Sequence, residues 1–257
     1  MNALRSVARS KLFPQFALRY YRHMRSAVSR RIAANTVLDA RLQARLRSEY
    51  DAGRIKTIFD IGAHKGNWAA GMQKLMPDAR LILFEANPLH AKDLESKGFE
   101  HHLGALSKPG IEECDFYSPE DFSGSTGGSY YREVTPDFDQ VAGVKLKAST
   151  LGEVAASKNL PQPDLIKIDT QGSELDIIAG GSAIFENAKW ILIELPTLEY
   201  NVGSPDAGAY FARLNELGFL PVDLSEIHMF GSVVIQLDFL FANRRMIDPG
   251  VLVNLKK

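Results

Sequence analysis

From Thr57 onward, short apolar runs rich in β-branched residues alternate with stretches of helical period, and this alternation constrains the fold more than any other feature of the chain. Thr57 to Ile61 reads as a buried strand, Trp68 to Leu75 as a short helix stopped by Pro77, and Leu81 to Glu85 as a second buried strand. Leu89 to Lys97 reads as a helix ended by Gly98, and Phe99 to Leu106 as a third strand. Consecutive parallel strands joined by right-handed crossovers make a doubly wound α/β sheet, with its ligand crevice beyond the carboxyl ends of the strands. The stretch from Ser107 to Gly143, with YSPEDFSGSTGGSYYRE inside it, lacks any helical period and reads as a functional loop. Alternation resumes with a strand near Lys145 to Ala148, a helix from Leu151 to Ser157, a strand at 164–169, a helix from Ser173 to Phe185 and a strand at 190–195. After a helix from Ala207 to Leu217 come FLPVDL and VVIQLDFLFAN, separated by a turn-rich stretch through Gly231. Two strands joined without a helix form an antiparallel hairpin.

With 257 residues, 45% of them hydrophobic, the chain can bury the core of one α/β domain with an appendage. Residues 1–50 carry eleven Lys and Arg against Asp39 and Glu49, a balance of +9, whereas the overall charge is −1. We therefore divide the chain into a basic helical extension, 1–50, and an α/β domain, 51–257. In the extension Phe13, Phe16, Tyr20 and Tyr21 stand among arginines at roughly helical spacing. Such a segment fits peripheral contact with an anionic membrane surface, and equally fits helices packed on the domain with a solvated arginine face. A uniformly basic surface is missing, so nucleic acid is not the expected partner. No run approaches the roughly 18 apolar residues of a membrane span, and the N-terminus has charges where a secretory signal would be apolar. The cytoplasm, with the inner membrane surface as the place of any peripheral contact, is the expected location. Cys114 is the only cysteine, which excludes an intrachain disulfide and two-thiol redox chemistry.

The first strand runs into FDIGAHKG, where Asp60 precedes Gly62, Ala63, His64, Lys65 and Gly66. A loop in this position presents backbone N–H groups, and its glycines let a ligand come close to the main chain. The dinucleotide fingerprint G-x-G-x-x-G is incomplete and the P-loop pattern is absent, which disfavours a pyrophosphate. Glu85 ends the second strand, where a carboxylate can accept both hydroxyls of a ribose. An adenosine with an unphosphorylated tail is the simplest ligand, and S-adenosylmethionine is one. Asp60 would orient the loop or meet the cationic end of that tail. His64 and Lys65 read as loop residues without a catalytic task.

FDIGAHKGNW, FEANP, GALS, STLGEV, LIKIDTQGSELDIIAGG and ILIEL, in this order, closely resemble the FkbM-type methyltransferases over residues 57–195, with a compatible tail to about 243. The resemblance implies a Rossmann-like class I methyltransferase sheet of seven strands, the last antiparallel, and S-adenosylmethionine-dependent O-methylation. Carried over by position, Asp60, Gly62, Ala63 and Gly66 would frame the cofactor, Glu85 would hold its ribose, and Ala105 and Leu106 would border the adenine. His64 stands where the family usually has Asn.

Methyl transfer to an alcohol profits from a base within hydrogen-bond reach of the acceptor. Asp169 and Glu194 end the fourth and fifth strands beside the crevice, and His228, placed in the turn before the last strand, could reach over it. These are the candidate catalytic residues, and Glu174 reads as a capping acid. The separated prolines of NLPQPD are not the Asn-Pro-Pro-aromatic pattern of amine methylation, which favours oxygen as acceptor: a hydroxyl of a sugar, polysaccharide or secondary metabolite. Asp169 with a second carboxylate has oxygen donors for Mg²⁺, but no H-x-x-x-H or H-E-x-x-H spacing exists, and no metal is expected. Two other functions use the same fold. A non-catalytic cofactor-binding or scaffold protein would keep it without turnover, and a nicotinamide-dependent oxidoreductase would need the missing third glycine.

Overall fold

A computed structural model describes residues 33–119, 128–134, 138, 141–230 and 232–249. Phe13, Phe16, Tyr20 and Tyr21, on which the membrane-surface expectation rests, lie outside the described residues.

The elements are helix α1 (Ala33–Asp51), β1 (Thr57–Ile61), α2 (Asn67–Leu75), β2 (Arg80–Glu85), a 3-10 turn (Pro88–His90), α3 (Ala91–Lys97), β3 (Glu100–Leu103), β4 (Ala105–Leu106), β5 (Glu113–Phe116) and β6 (Val144–Ser149). They continue with α4 (Leu151–Ser157), β7 (Leu165–Ile168), α5 (Glu174–Gly180), α6 (Ser182–Asn187), β8 (Trp190–Pro196), α7 (Ala207–Glu216), β9 (Phe219–Phe230) and β10 (Val233–Asn243). Seven strands form one sheet in the order β3-β2-β1-β7-β8-β10-β9. β10 runs antiparallel to β8 and β9, and the other neighbours are parallel. This is the doubly wound class I methyltransferase arrangement with its last strand reversed. A separate small sheet has the order β4-β6-β5.

Both faces of the large sheet are covered, which is why its inner strands read as unbroken apolar runs. Phe59, Ile61, Ile166, Ile168, Ile191 and Ile193 pack on one face under α4, α5, α6 and α7. Ile58, Leu81, Leu83, Leu165, Leu192 and Leu240 pack on the other, against α1 and α2. Helix ends follow their sequence signals. Thr150 and Glu153 complete a reciprocal capping box on α4, and Asp206 caps α7.

Several boundaries differ from the sequence expectations. The expected third strand breaks at Gly104, whose φ of 147° only glycine adopts freely, and its second half joins the small sheet as β4. The strand near Lys145 also belongs to the small sheet, and β5 lies inside the stretch expected to be irregular. The expected helix over Ser173 to Phe185 is two helices meeting at Gly181. His228 lies within strand β9, not in a turn, because the hairpin of β9 and β10 stays paired as far as Val233 and Phe230.

Helix α1 crosses the division drawn at residue 50 and docks on the sheet. Leu42 and Leu46 enter the core, and Arg41 and Arg45 pair with Asp223, whose side chain is only 1% exposed. The arginines thus hold this helix to the domain through a buried carboxylate.

Leu46 is fully buried. Leu46→Ala should destabilise the fold by about 2–5 kcal/mol in urea unfolding, the range for a truncated core leucine. A loss below about 0.5 kcal/mol, the size of a neutral surface substitution, would mean that α1 is no part of the core.

Candidate active site

The loop after β1 is tied to β2 by its own amides. The N–H groups of Gly62 and Ala63 both donate to the Phe84 carbonyl, at 2.9 and 3.0 Å, and Gly66 N–H donates to Ala63. The His64 N–H donates to Glu85 Oε2 at 2.6 Å, and the Asn87 N–H donates to Glu85 Oε1 at 2.8 Å. Each carboxylate oxygen therefore holds one backbone donor and keeps lone-pair capacity for a second. Burial raises the Glu85 pKa, against the lowering by those two amides.

Gly62 owes its identity to packing. Its φ is 78°, and a Cβ there would lie 1.9 Å from the Asp169 carbonyl oxygen. The glycine thus lets the β1 loop pass over the end of β7, which corrects the simpler idea that it only clears a path for a ligand. His64 also has positive φ, 51°, its ring sits edge-on to His90 with centroids 4.2 Å apart, and its buried Nε2 has no hydrogen-bond partner. Burial, with smaller effects from His90 and Lys65, lowers its pKa to about 4, so the ring is neutral near pH 7.

These residues line a cavity. Gly62, His64, Glu85, Ala105, Leu106 and Asp169 all face it, and Tyr130 and Ser173 close other parts of the wall. Asp60, Ala63 and Gly66 do not line it. A Cβ at Gly66 would point at Leu83 and Leu94, so this glycine serves the packing beneath α2. Asp60 is fully buried, with Lys167 Nζ 3.5 Å away.

Lys167 is the hub under the loop. Its ammonium also lies 3.3 Å from Asp169 Oδ2 and donates to the Gly62 carbonyl at 3.3 Å. Burial alone would lower its pKa, but Asp169 and Asp60 outweigh it and keep the amine charged, while burial raises the pKa of Asp60. The next loop is clamped by Glu174, which accepts from Thr170 N–H at 2.7 Å, from Gly172 N–H and from the Tyr210 hydroxyl. That is capping work by an acid that burial keeps above the usual carboxylate range.

Of the three candidate catalytic groups, only Asp169 reaches the cavity wall. Gln171 joins it to Glu194: with φ of 57°, it donates through Nε2 to Asp169 Oδ1 at 3.0 Å and to Glu194 Oε1 at 2.8 Å. Glu194 also accepts from Gln236, and its pKa stands well above the usual range because of burial and the nearby Asp169 and Asp238. His228 sits against Asp238 and Glu226, which raise its pKa to about 11. An imidazole with that pKa carries its proton near pH 7, the state of an acid and not of a base. Gln171 escaped the sequence reading, although it stands inside KIDTQG, because a side-chain bridge leaves no mark on residue spacing.

A family model of the methyltransferase FkbM domain matches residues 60–221. Methyltransferase str2 of Strobilurus tenacellus is 33% identical over 66 residues, which are 26% of this chain and 24% of that protein. This chain thus spans about a quarter of that relative. Among solved structures, precorrin-6y C5,15-methyltransferase from Geobacter metallireducens GS-15 aligns with 79% of this chain and 86% of its own, at 16% identity and TM-score 0.41. The fibrillarin pre-rRNA processing protein of Methanococcus jannaschii aligns with 74% and 67%, at 16% identity and TM-score 0.43. Likenesses this remote carry no inference about activity.

Gly62→Ala must strain a left-handed backbone and push Cβ into the Asp169 carbonyl, so it should cost about 3 kcal/mol in unfolding, the upper end for overpacking. Wild-type stability in that variant, measured by denaturant titration, would contradict the contact.

Proposed function

The chain belongs to the FkbM methyltransferase family, and we propose that it transfers the methyl group of S-adenosylmethionine to a hydroxyl oxygen of a sugar, polysaccharide or secondary metabolite. The observation that carries this reading is Glu85, fixed by two backbone donors at the cavity wall beside a loop whose amides are already engaged. A pyrophosphate needs free N–H groups at this turn, and those of Gly62, Ala63, His64 and Gly66 are occupied. A ribose needs a carboxylate with spare lone pairs, which Glu85 has. This weighs against a nicotinamide dinucleotide and in favour of an adenosine without phosphates.

The residues present fit such a cofactor. The unpartnered Nε2 of neutral His64 is a polar group on the same wall as Glu85, and Ala105 and Leu106 offer an apolar surface for a base. When bound, the cofactor supplies an electrophilic methyl group on a sulfonium for in-line displacement. The protein's task is then to align an acceptor oxygen and manage its proton. Asp169, on the cavity wall and braced by Lys167 and Gln171, is the carboxylate we assign to that proton. Glu194 and His228 act behind it: Glu194 shares the Gln171 amide with Asp169, and His228 adds positive charge farther along the sheet.

Calorimetry on the full chain should give tighter binding of S-adenosylhomocysteine than of NAD, and the reverse order would remove this reading. Glu85→Ala should weaken S-adenosylhomocysteine by at least about tenfold, since a hydrogen bond to a charged group contributes about 1.5–3 kcal/mol. Asp169→Asn should keep that affinity but slow methyl incorporation from labelled cofactor into fractionated cell extract by about 10²–10⁴-fold. Full turnover in that variant would take Asp169 out of the chemistry, and no incorporation by the wild type into any fraction would favour a non-catalytic binder.

A further inference from the structure

The carboxyl edge of the sheet carries more negative charge than the methyl-transfer reading uses. Asp238 on β10 faces Glu194 on β8 in register, and Glu226 on β9 faces Asp238 from the other side. Ile168 pairs with Ile193, so Asp169 follows beside Glu194 and extends the row to a fourth acid. Like charges directly opposite one another in a sheet are destabilising. Lys167 answers Asp169 at one end of the row, but the hydrogen bonds to Glu194 come from the neutral amides of Gln171 and Gln236.

His228 stands at the other end of the row. Its Nε2 lies 3.5 Å from Asp238 Oδ1 and 3.4 Å from Glu226 Oε2. Neither contact has hydrogen-bond geometry, for both His228 Nε2 and Asp238 Oδ1 are buried atoms without a hydrogen-bond partner. One donor atom each from Glu194, His228 and Asp238 lie within 4.8 Å of one another. Ligand atoms on one ion at about 2.0–2.2 Å are at most about 4.4 Å apart, so the three side chains must draw together when an ion binds.

We propose that Glu194, His228 and Asp238 form a binding site for one first-row divalent cation, Mn²⁺ or Zn²⁺, held by two carboxylate oxygens and an imidazole nitrogen, with release to solvent of the proton that His228 otherwise carries. The imidazole selects against Mg²⁺ and Ca²⁺, which prefer oxygen throughout. The side chains of His228 and Asp238 are 35% and 24% exposed, so the cluster borders solvent while its facing atoms, His228 Nε2 and Asp238 Oδ1, are turned inward. Three protein ligands leave positions open for water or for oxygens of an acceptor. The site stands on its own ligands. Only its role toward an acceptor rests on the methyltransferase reading, through the Gln171 bridge from Glu194 to Asp169. The sequence has no H-x-x-x-H signature for it because the ligands come from three strands, β8, β9 and β10. The rival occupant is a proton, with an imidazolium at His228 as the built-in counter-charge.

The test titrates chelator-stripped full chain with MnCl₂, ZnCl₂ and MgCl₂ by calorimetry, with the loss of the free Mn²⁺ signal in electron paramagnetic resonance as a second readout. We expect one equivalent of Mn²⁺ or Zn²⁺ to bind at least tenfold more tightly than Mg²⁺, and His228→Ala and Asp238→Asn each to weaken it at least tenfold. Absence of stoichiometric Mn²⁺ and Zn²⁺ binding by the wild-type chain overturns the site, and this result does not depend on either variant folding. Binding that survives unchanged in both variants, with their melting curves intact, overturns the ligand assignment. S-adenosylhomocysteine titrated into the same stripped protein keeps the two readings apart. A chain that binds it but neither metal loses the cation site and retains the methyltransferase reading.

Discussion

The close crossing of the β1 loop over the end of β7 is the constraint on which the rest of the site depends. Gly62 passes so near the Asp169 carbonyl that a methyl group does not fit between them, and both residues then face the same cavity. Beneath the crossing, Lys167 contacts Asp60, Asp169 and the Gly62 carbonyl, so one buried ammonium ties both loops together. Taking a lysine and an aspartate out of water is costly unless they meet, which makes the pair a determinant of geometry more than a source of net stability.

The two loops are then finished by carboxylates that serve backbone N–H groups. Glu85 holds the amides of His64 and Asn87, and Glu174 those of Thr170 and Gly172. Such bonds to charged acceptors are among the stronger ones in proteins, and they fix loops that lack regular structure. Among the described residues, two of the three non-glycine residues with positive φ, His64 and Gln171, lie at the cavity or its supporting bridge, and the third, Asn159, lies just after α4. Strain of this kind persists where surrounding contacts over-determine it, and each of the two residues at the site is held, His64 by its backbone N–H on Glu85 and Gln171 by its side-chain amide on two acids.

Much of the fold was legible from period and punctuation. Thr57 to Ile61 and Leu81 to Glu85 read correctly because strands buried on both faces are continuous apolar runs, and α2 because Pro77 marks its end. The reversed last strand followed from two strands without a helix between them. Sheet membership was not legible. β4 and β6 resemble strands of the main sheet, and only pairing with each other and with β5 places them elsewhere. The same holds for His228, whose strand extends farther than its polar neighbours in LSEIHM suggest, since β10 supplies its hydrogen bonds.

By itself the sequence determined the alternation of elements, the strand-end acids Glu85 and Asp169, and the motifs that mark the family, because these depend on residue type and spacing along one segment. The tertiary structure decided where those residues stand relative to the cavity. It made Gly62 a crossing point as well as part of the cavity wall, moved Gly66 and Asp60 beneath that wall, and set Glu194, His228 and Asp238 side by side from three strands. The physical reason is that desolvation and charge coupling depend on distance in space. Residues 194, 228 and 238 are far apart along the chain, and only the pairing of β8, β10 and β9 brings their charges together.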